Sequence, residues 1–309
     1  WQGAFYNIAK IVATGGLVYL AGILIEKSTS QGDSLYDANQ HAWMIIMAIL
    51  SAVMVLLGIY HIFMLPSGGK RAAAEVHRTG KQVMVELGEV LIDFFRKRHI
   101  VYYICFIILY RFAEGFVMKI VPLFLKTERE MGGLGLSEKE IGLYYGSYGA
   151  AAFVLGSLLA GYYISSRGLK KTLFTLCGIF NLPFLVYTLF AIFQPTNGLL
   201  ICSGIIFEYF GYGFGFVGLT LFMMQQIAPG KHQMAHYAFA SGIMNLGVMI
   251  PGMLSGWVCE LFEEWFNKPS GYEPFFIFVL IATIPAFLIT YFVPFKYNQD
   301  GTLIEGEKE

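Results

Sequence analysis

Charge is what this sequence has least of. Only 14% of its 309 residues are Asp, Glu, Lys or Arg, against roughly a quarter in soluble domains, and that scarcity excludes a soluble enzyme. Lys and Arg together number 21 and so do Asp and Glu, so there is no overall basic field to hold a polyanion, and nucleic acid is excluded as a partner. The four cysteines, Cys105, Cys177, Cys202 and Cys259, lie far apart inside apolar stretches, which excludes metal knuckles and CxxC redox chemistry. No cofactor or metal is implied. The four aspartates, Asp33, Asp37, Asp93 and Asp300, all fall outside the apolar stretches. With no HExxH and no paired acids, an intramembrane enzyme lacks its chemistry, and a channel lacks a ring of charges or carbonyls. Trp1 is preceded by no Met, basic segment or small-residue cleavage site, so the chain reads as a fragment or a processed product.

What is present is apolar: 56% of residues, with 28 Phe and 35 Gly, and a mean hydropathy of +0.60. Bilayers select such chains, with apolar faces toward lipid and small residues where helices touch. A spanning helix needs about 20 apolar residues. Eight stretches qualify: Ala4 to Ile25, Trp43 to Leu65, Ile100 to Leu123, Ile141 to Ile164, Thr172 to Phe193, Leu199 to Met223, Ala235 to Cys259 and Phe275 to Pro294. Asn7 and Lys10 make the first the weakest. Continuous runs of this kind exclude a barrel of alternating strands. Thirteen of the Lys and Arg fall in connections on one side, five on the other, and Lys10, Arg111 and Lys119 within spans. The positive-inside rule then places both ends in the cytoplasm.

The spacing divides the chain into two helices (1–65), a basic linker (66–99), six helices (100–295) and a tail (296–309). Inside the linker, Val83, Leu87, Val90, Leu91 and Phe94 recur at helical spacing opposite Lys81, Gln82, Glu86, Glu89 and Asp93. An amphipathic helix on the inner membrane surface and a solvated helical linker account for this pattern equally well.

Two helices, a basic loop and six helices resemble the last eight helices of a twelve-helix major facilitator transporter. The resemblance makes 1–65 the end of an N-terminal bundle and 100–295 a complete C-terminal bundle. The loop from Gly161 through Arg167 and Gly168 to Lys170 and Lys171 is similar to the superfamily's Gly-x-x-x-Asp/Glu-Arg-x-Gly-x-Arg/Lys-Arg/Lys gating loop, with Ser165 at the acidic position and Arg167 displaced by one. Tyr110-Arg111-Phe-Ala-Glu114-Gly115, Gly132-Gly133-Leu-Gly135-Leu-Ser137, Glu208-Tyr-Phe-Gly211-Tyr-Gly213-Phe-Gly215 and Ala235-His236-Tyr237-Ala238-Phe239 together resemble the AmpG-type permeases. That resemblance implies a multi-pass protein of the bacterial inner membrane, with lipid, protons, a small-molecule substrate (a sugar-peptide or other organic anion) and the absent N-terminal helices as partners. It also implies import of anhydro-muropeptides for cell-wall recycling by proton symport. Acetyl-coenzyme A-like or sugar cargo is the alternative.

Charges within spans cost several kcal/mol and so mark function by default. Arg111 and Glu114, three apart, share a helix face; Lys119 is about 80° round from Arg111 on an ideal helix, so all three are expected to face one cavity. Glu114 and Glu208 are the only mid-span carboxylates, hence the proton-coupling candidates, since a low dielectric raises a carboxyl pKa toward neutrality. Arg111 and Lys119 are assigned to substrate carboxylates, and Tyr110, Tyr148, Tyr212 and Asn245 to the rest of the cargo, with Tyr144, Tyr145, Tyr209 and Tyr237 as further aromatic candidates for stacking on sugar rings. A static Arg111–Glu114 pair is the structural alternative. Asn245, Gly247, Pro251 and Gly252 are expected to interrupt the seventh span, and Pro183 and Pro285 to kink theirs.

Overall fold

The computed structural model describes residues 9, 11–64, 80–298 and 302–304. The opening of the first apolar stretch (Ala4, Asn7, Lys10), the linker residues Lys70, Arg71 and Arg78, the side chains of 81–83 and most of the tail lie outside the described residues. Almost all of the described backbone is helical, and its one β-pairing is an isolated antiparallel bridge between Tyr297 and Leu303.

Helix α1 starts as a π-helix, Ile11–Leu17, and continues as Val18–Ser30. Then come α2 (Leu35–Met64) and α3 (Gly80–Arg96). Helix α4 is made of Ile100–Tyr110 and Phe112–Lys126 on either side of Arg111. It is followed by α5 (Glu138–Arg167), α6 (Leu169–Phe193), α7 (Gly198–Ile227), α8 (Gln233–Phe266) and α9 (Tyr272–Tyr291). Six of these, α2 and α5 to α9, are long and apolar enough to cross a bilayer. The other two expected spans are composite. Arg111 leaves helical geometry (φ −107°, ψ 7°) and divides α4 into segments of 11 and 15 residues; each is short of a span, but end to end they reach roughly 40 Å.

Local chemistry sets the boundaries. Ser137 and Glu140 form a capping box that starts α5, and the Asn197 carboxamide oxygen accepts from the Leu199 amide (2.9 Å) to start α7. Gly168 joins α5 to α6 at φ 81° and ψ 146°, a conformation open essentially to glycine alone. Pro183 produces the 3-10 stretch Leu182–Phe184 within α6, and α9 breaks at Thr283 two residues before Pro285.

Helix α7 lies between α5 and α6, and glycines bring all three close. A Cβ at Gly213 would overlap the Phe153 carbonyl, one at Gly156 the Phe210 carbonyl, and one at Gly215 the Phe180 side chain. The glycine run of α7 is therefore accounted for by packing. On the other side α4 packs on α8 and α9. A Cβ at Gly115 would meet the Val248 carbonyl at 2.6 Å and Pro251 at 2.9 Å. This is why the expected interruption at Asn245–Gly252 does not occur: α8 runs unbroken through Pro251 because the facing helix offers a glycine there. The break falls in α4 instead. Helix α1 crosses α5 antiparallel at backbone contact, Gly15 against Gly146 and Ser147, Tyr19 against Gly142, and Gly22 against Lys139. In α3, Leu87 and Leu91 are exposed and Phe94 is buried, its ring against Phe239 and His236 of α8.

Candidate substrate and proton site

At the break in α4, Arg111 faces back onto the next turn. Its Nε donates to Glu114 Oε2 and its Nη2 to Glu114 Oε1, both at 2.5 Å. The pair is nearly sealed from solvent, Arg111 5% and Glu114 3% exposed, and the guanidinium lies 5.2 Å from the Phe216 ring centroid of α7. A buried bidentate pair with an aromatic face over the cation holds both charges where neither is stable alone.

Glu114 also lines a cavity of 190 Å³ between α4, α5, α6 and α7, whose polar walls are Glu208, Tyr145, Tyr187, Tyr209 and Tyr212. Glu208, buried on α7, accepts a hydrogen bond from the Tyr187 hydroxyl (3.0 Å). The rings of Tyr145 and Tyr209 pack edge to face, as do those of Tyr209 and Tyr212. Two carboxylates, one guanidinium and four phenols thus converge from four helices, a combination suited to holding a proton, binding an anionic group and stacking on a sugar ring.

Of the residues expected here, Arg111, Glu114, Glu208 and Tyr212 are brought together. Lys119 is not. It is exposed, with its stem beside Gly252 of α8. Within Phe112–Lys126 it stands five residues from Glu114, about 140° round the helix, and the break at Arg111 removes the continuous register that the expected common face assumed. Tyr110 is fully buried outside the cavity, its hydroxyl donating to the Gly215 carbonyl of α7 (3.0 Å). Tyr148 ends the π-helical start of α5, Gly142–Tyr148, whose wider winding turns it away from Tyr145; it is 47% exposed. Asn245 is likewise exposed. Tyr187 is the lining residue that sequence reasoning missed, and the available signal was a tyrosine in mid-span, whose hydroxyl needs a partner.

Arg167, Gly168, Lys170 and Lys171 meet Tyr297 and Asn298 around a second cavity of 170 Å³ at the end of the bundle where α5 turns into α6. Arg167 is over Tyr163, 5.0 Å from its centroid; Gly161 faces open space. A cavity of 970 Å³ lies at the opposite end between α1, α2 and the start of α5. Its two lysines are paired locally, Lys126 with Glu138 (2.5 Å) and Lys139 with Glu26 (2.9 Å).

No family model matches the chain. Over 191 residues, 62% of this chain and 40% of the relative, it is 25% identical to the putative transporter AmpG 1 of Rickettsia felis. Over 201 residues, 65% and 45% of the two chains, it is 24% identical to the putative transporter AmpG 1 of Rickettsia bellii. Over 199 residues, 64% and 37%, it is 22% identical to the anhydromuropeptide permease of Escherichia coli K12. The chain thus spans about two fifths of the length of the curated relatives it matches. Its described residues are those of an almost wholly helical, multi-pass membrane protein, and the chain is a partial homologue of proteins named AmpG transporter and anhydromuropeptide permease.

Proposed function

We propose that the protein is a proton-coupled secondary transporter of the bacterial inner membrane that imports anhydro-muropeptides or related amino-sugar peptides by alternating access. The observation that carries this reading is that Glu114, bonded to Arg111, and Glu208 line one buried, tyrosine-lined cavity beside the break in α4. Together these three groups bear one negative charge when both carboxylates are ionised, and one proton makes them neutral. An incoming substrate carboxylate attracted to Arg111 competes with Glu114. Each such displacement leaves the Glu114 carboxylate facing Glu208 in one cavity, and two like charges so placed share one proton between them. Substrate and proton then bind together and leave together, which is symport.

The cavity is smaller than the roughly 300–1,000 Å³ of ligand pockets, so cargo of disaccharide size requires the bundles to part. In this reading 1–65 are the last two helices of a first bundle whose remaining helices complete the site, and 100–295 are the second bundle. The α1–α5 seam is a contact between the two. Both ends of the chain are cytoplasmic, in keeping with the lysine and arginine distribution.

The test is counterflow of labelled anhydro-muropeptide into proteoliposomes containing the whole transporter. Saturable exchange, accelerated by an inward proton gradient, supports the reading. Saturable flux of a different organic anion with none of muropeptide assigns the same site to another cargo, and no flux of any anion removes the transport reading altogether.

A further inference from the structure

A basic pocket lies at the end of the bundle where α4 and α8 begin and α7 and α9 end. It is a cavity of 430 Å³ lined by Lys97, Arg98, Lys231 and Lys296, with Gln226 and Tyr297, and no carboxylate lines it among the described residues. The cations are held there by the backbone. Lys97 Nζ donates to the Ile227 and Pro229 carbonyls at the C-terminus of α7, both at 2.6 Å, the end of a helix that favours positive charge. Gln226 clamps the chain leaving α9: its Oε1 accepts from the Lys296 amide (2.7 Å) and the Tyr297 amide (3.0 Å), and its Nε2 donates to the Tyr297 carbonyl (2.8 Å). Lys296 is buried beside the Tyr297 ring. Burial and the neighbouring Lys296 lower the Lys97 ammonium to a pKa of about 8, opposed by Asp93, itself 3.6 Å from His232. Two hydrogen-bonded clamps thus hold Lys97 and the Lys296 backbone at one cavity onto which four basic residues open, a geometry suited to an anion.

The surroundings of the pocket indicate the source of the anion. Ile92 and Phe95 on α3 and Met234 at the start of α8 are exposed apolar residues beside it, Met234 86% exposed, and this level of the molecule is where spans enter and leave the bilayer. We propose that the pocket binds the phosphate group of an anionic phospholipid in the adjacent leaflet. Lys97 and Lys296 form the fixed floor, and the exposed Arg98 and Lys231 form the rim.

Native mass spectrometry of the purified full chain, offered equal amounts of phosphatidylglycerol and phosphatidylcholine of one acyl composition, tests this. Phosphatidylglycerol is expected to be retained preferentially. Arg98→Gln and Lys231→Gln, which leave both clamps intact, each lower that retention about fivefold, the value of one cation at a membrane surface. Lys268→Gln at the opposite end leaves it unchanged. A thermal midpoint equal to that of the parent shows that the rim variants are folded, and either one serves if the other is not. Equal retention of the two lipids, or no loss in the rim variants, overturns the proposal. So does displacement of the lipid by millimolar inorganic phosphate in a parallel arm, which would make the site one for the free anion.

Discussion

Removing one member of the Arg111–Glu114 pair separates its structural from its transport role. Both groups are nearly sealed from solvent and joined by two hydrogen bonds of 2.5 Å. Glu114→Leu therefore leaves a guanidinium without its carboxylate in a low-dielectric site, and Arg111→Met does the converse. Breaking a buried pair from one side costs about 3–5 kcal/mol, whereas replacing both members by apolar residues of similar volume is about neutral or stabilising. The double variant Arg111→Met/Glu114→Leu is therefore expected to recover most of what either single variant loses. Unfolding in mixed detergent micelles, read by circular dichroism across the four proteins, measures the cycle. Transport is expected to follow a different order, with the double variant stable but inactive. Additive losses in the cycle would refute the electrostatic reasoning, and a stable double variant that still moves cargo would make the pair a strut.

Three further perturbations follow from the geometry. Gly213→Val drives a side chain into the Phe153 carbonyl of α5 and is expected to lower stability by about 1–3 kcal/mol, seen as a drop in thermal midpoint that Gly161→Val, facing open space, does not share. Lys97 titrates at about 8 in the folded chain against about 10.4 unfolded, so between these values the unfolded state binds more protons and stability rises with pH; Lys97→Met is expected to flatten the thermal midpoint across pH 8 to 10.5, and an unchanged slope would remove the burial argument. Glu26→Cys and Lys139→Cys, at the two ends of a 2.9 Å ion pair across the α1–α5 seam, are expected to be joined by a short bis-methanethiosulfonate reagent and to regain transport when a reductant releases it, whereas a cross-linked protein with full activity would show that the seam does not part.

Much of this architecture is legible from the residues. The apolar runs locate the helices, Gly211 and Gly215 mark a close helix approach, and the three-residue spacing of Arg111 and Glu114 anticipates their pairing. The legible features share one property: each depends on regular helical geometry over a few turns. Where the backbone departs from it, the expectations fail. Arg111 leaves the helix, so Lys119 cannot be placed from it by counting turns. The π-helical entry to α5 carries Tyr148 outward, and the α8 interruption is absent because Gly115, on another helix, accommodates Pro251. Tyr187 was invisible for a related reason, since its partner Glu208 lies on the next span and only the tertiary fold joins them.

The central claim is that the cavity couples a proton to the cargo, and the Glu208→Gln variant of the whole transporter tests it most directly. In proteoliposomes, exchange of labelled cargo at equal concentration on both sides needs binding and alternation but no net proton movement, whereas uphill accumulation needs the proton. The account predicts that Glu208→Gln retains exchange and loses accumulation driven by an inward proton gradient. Accumulation at the parent's level would contradict it.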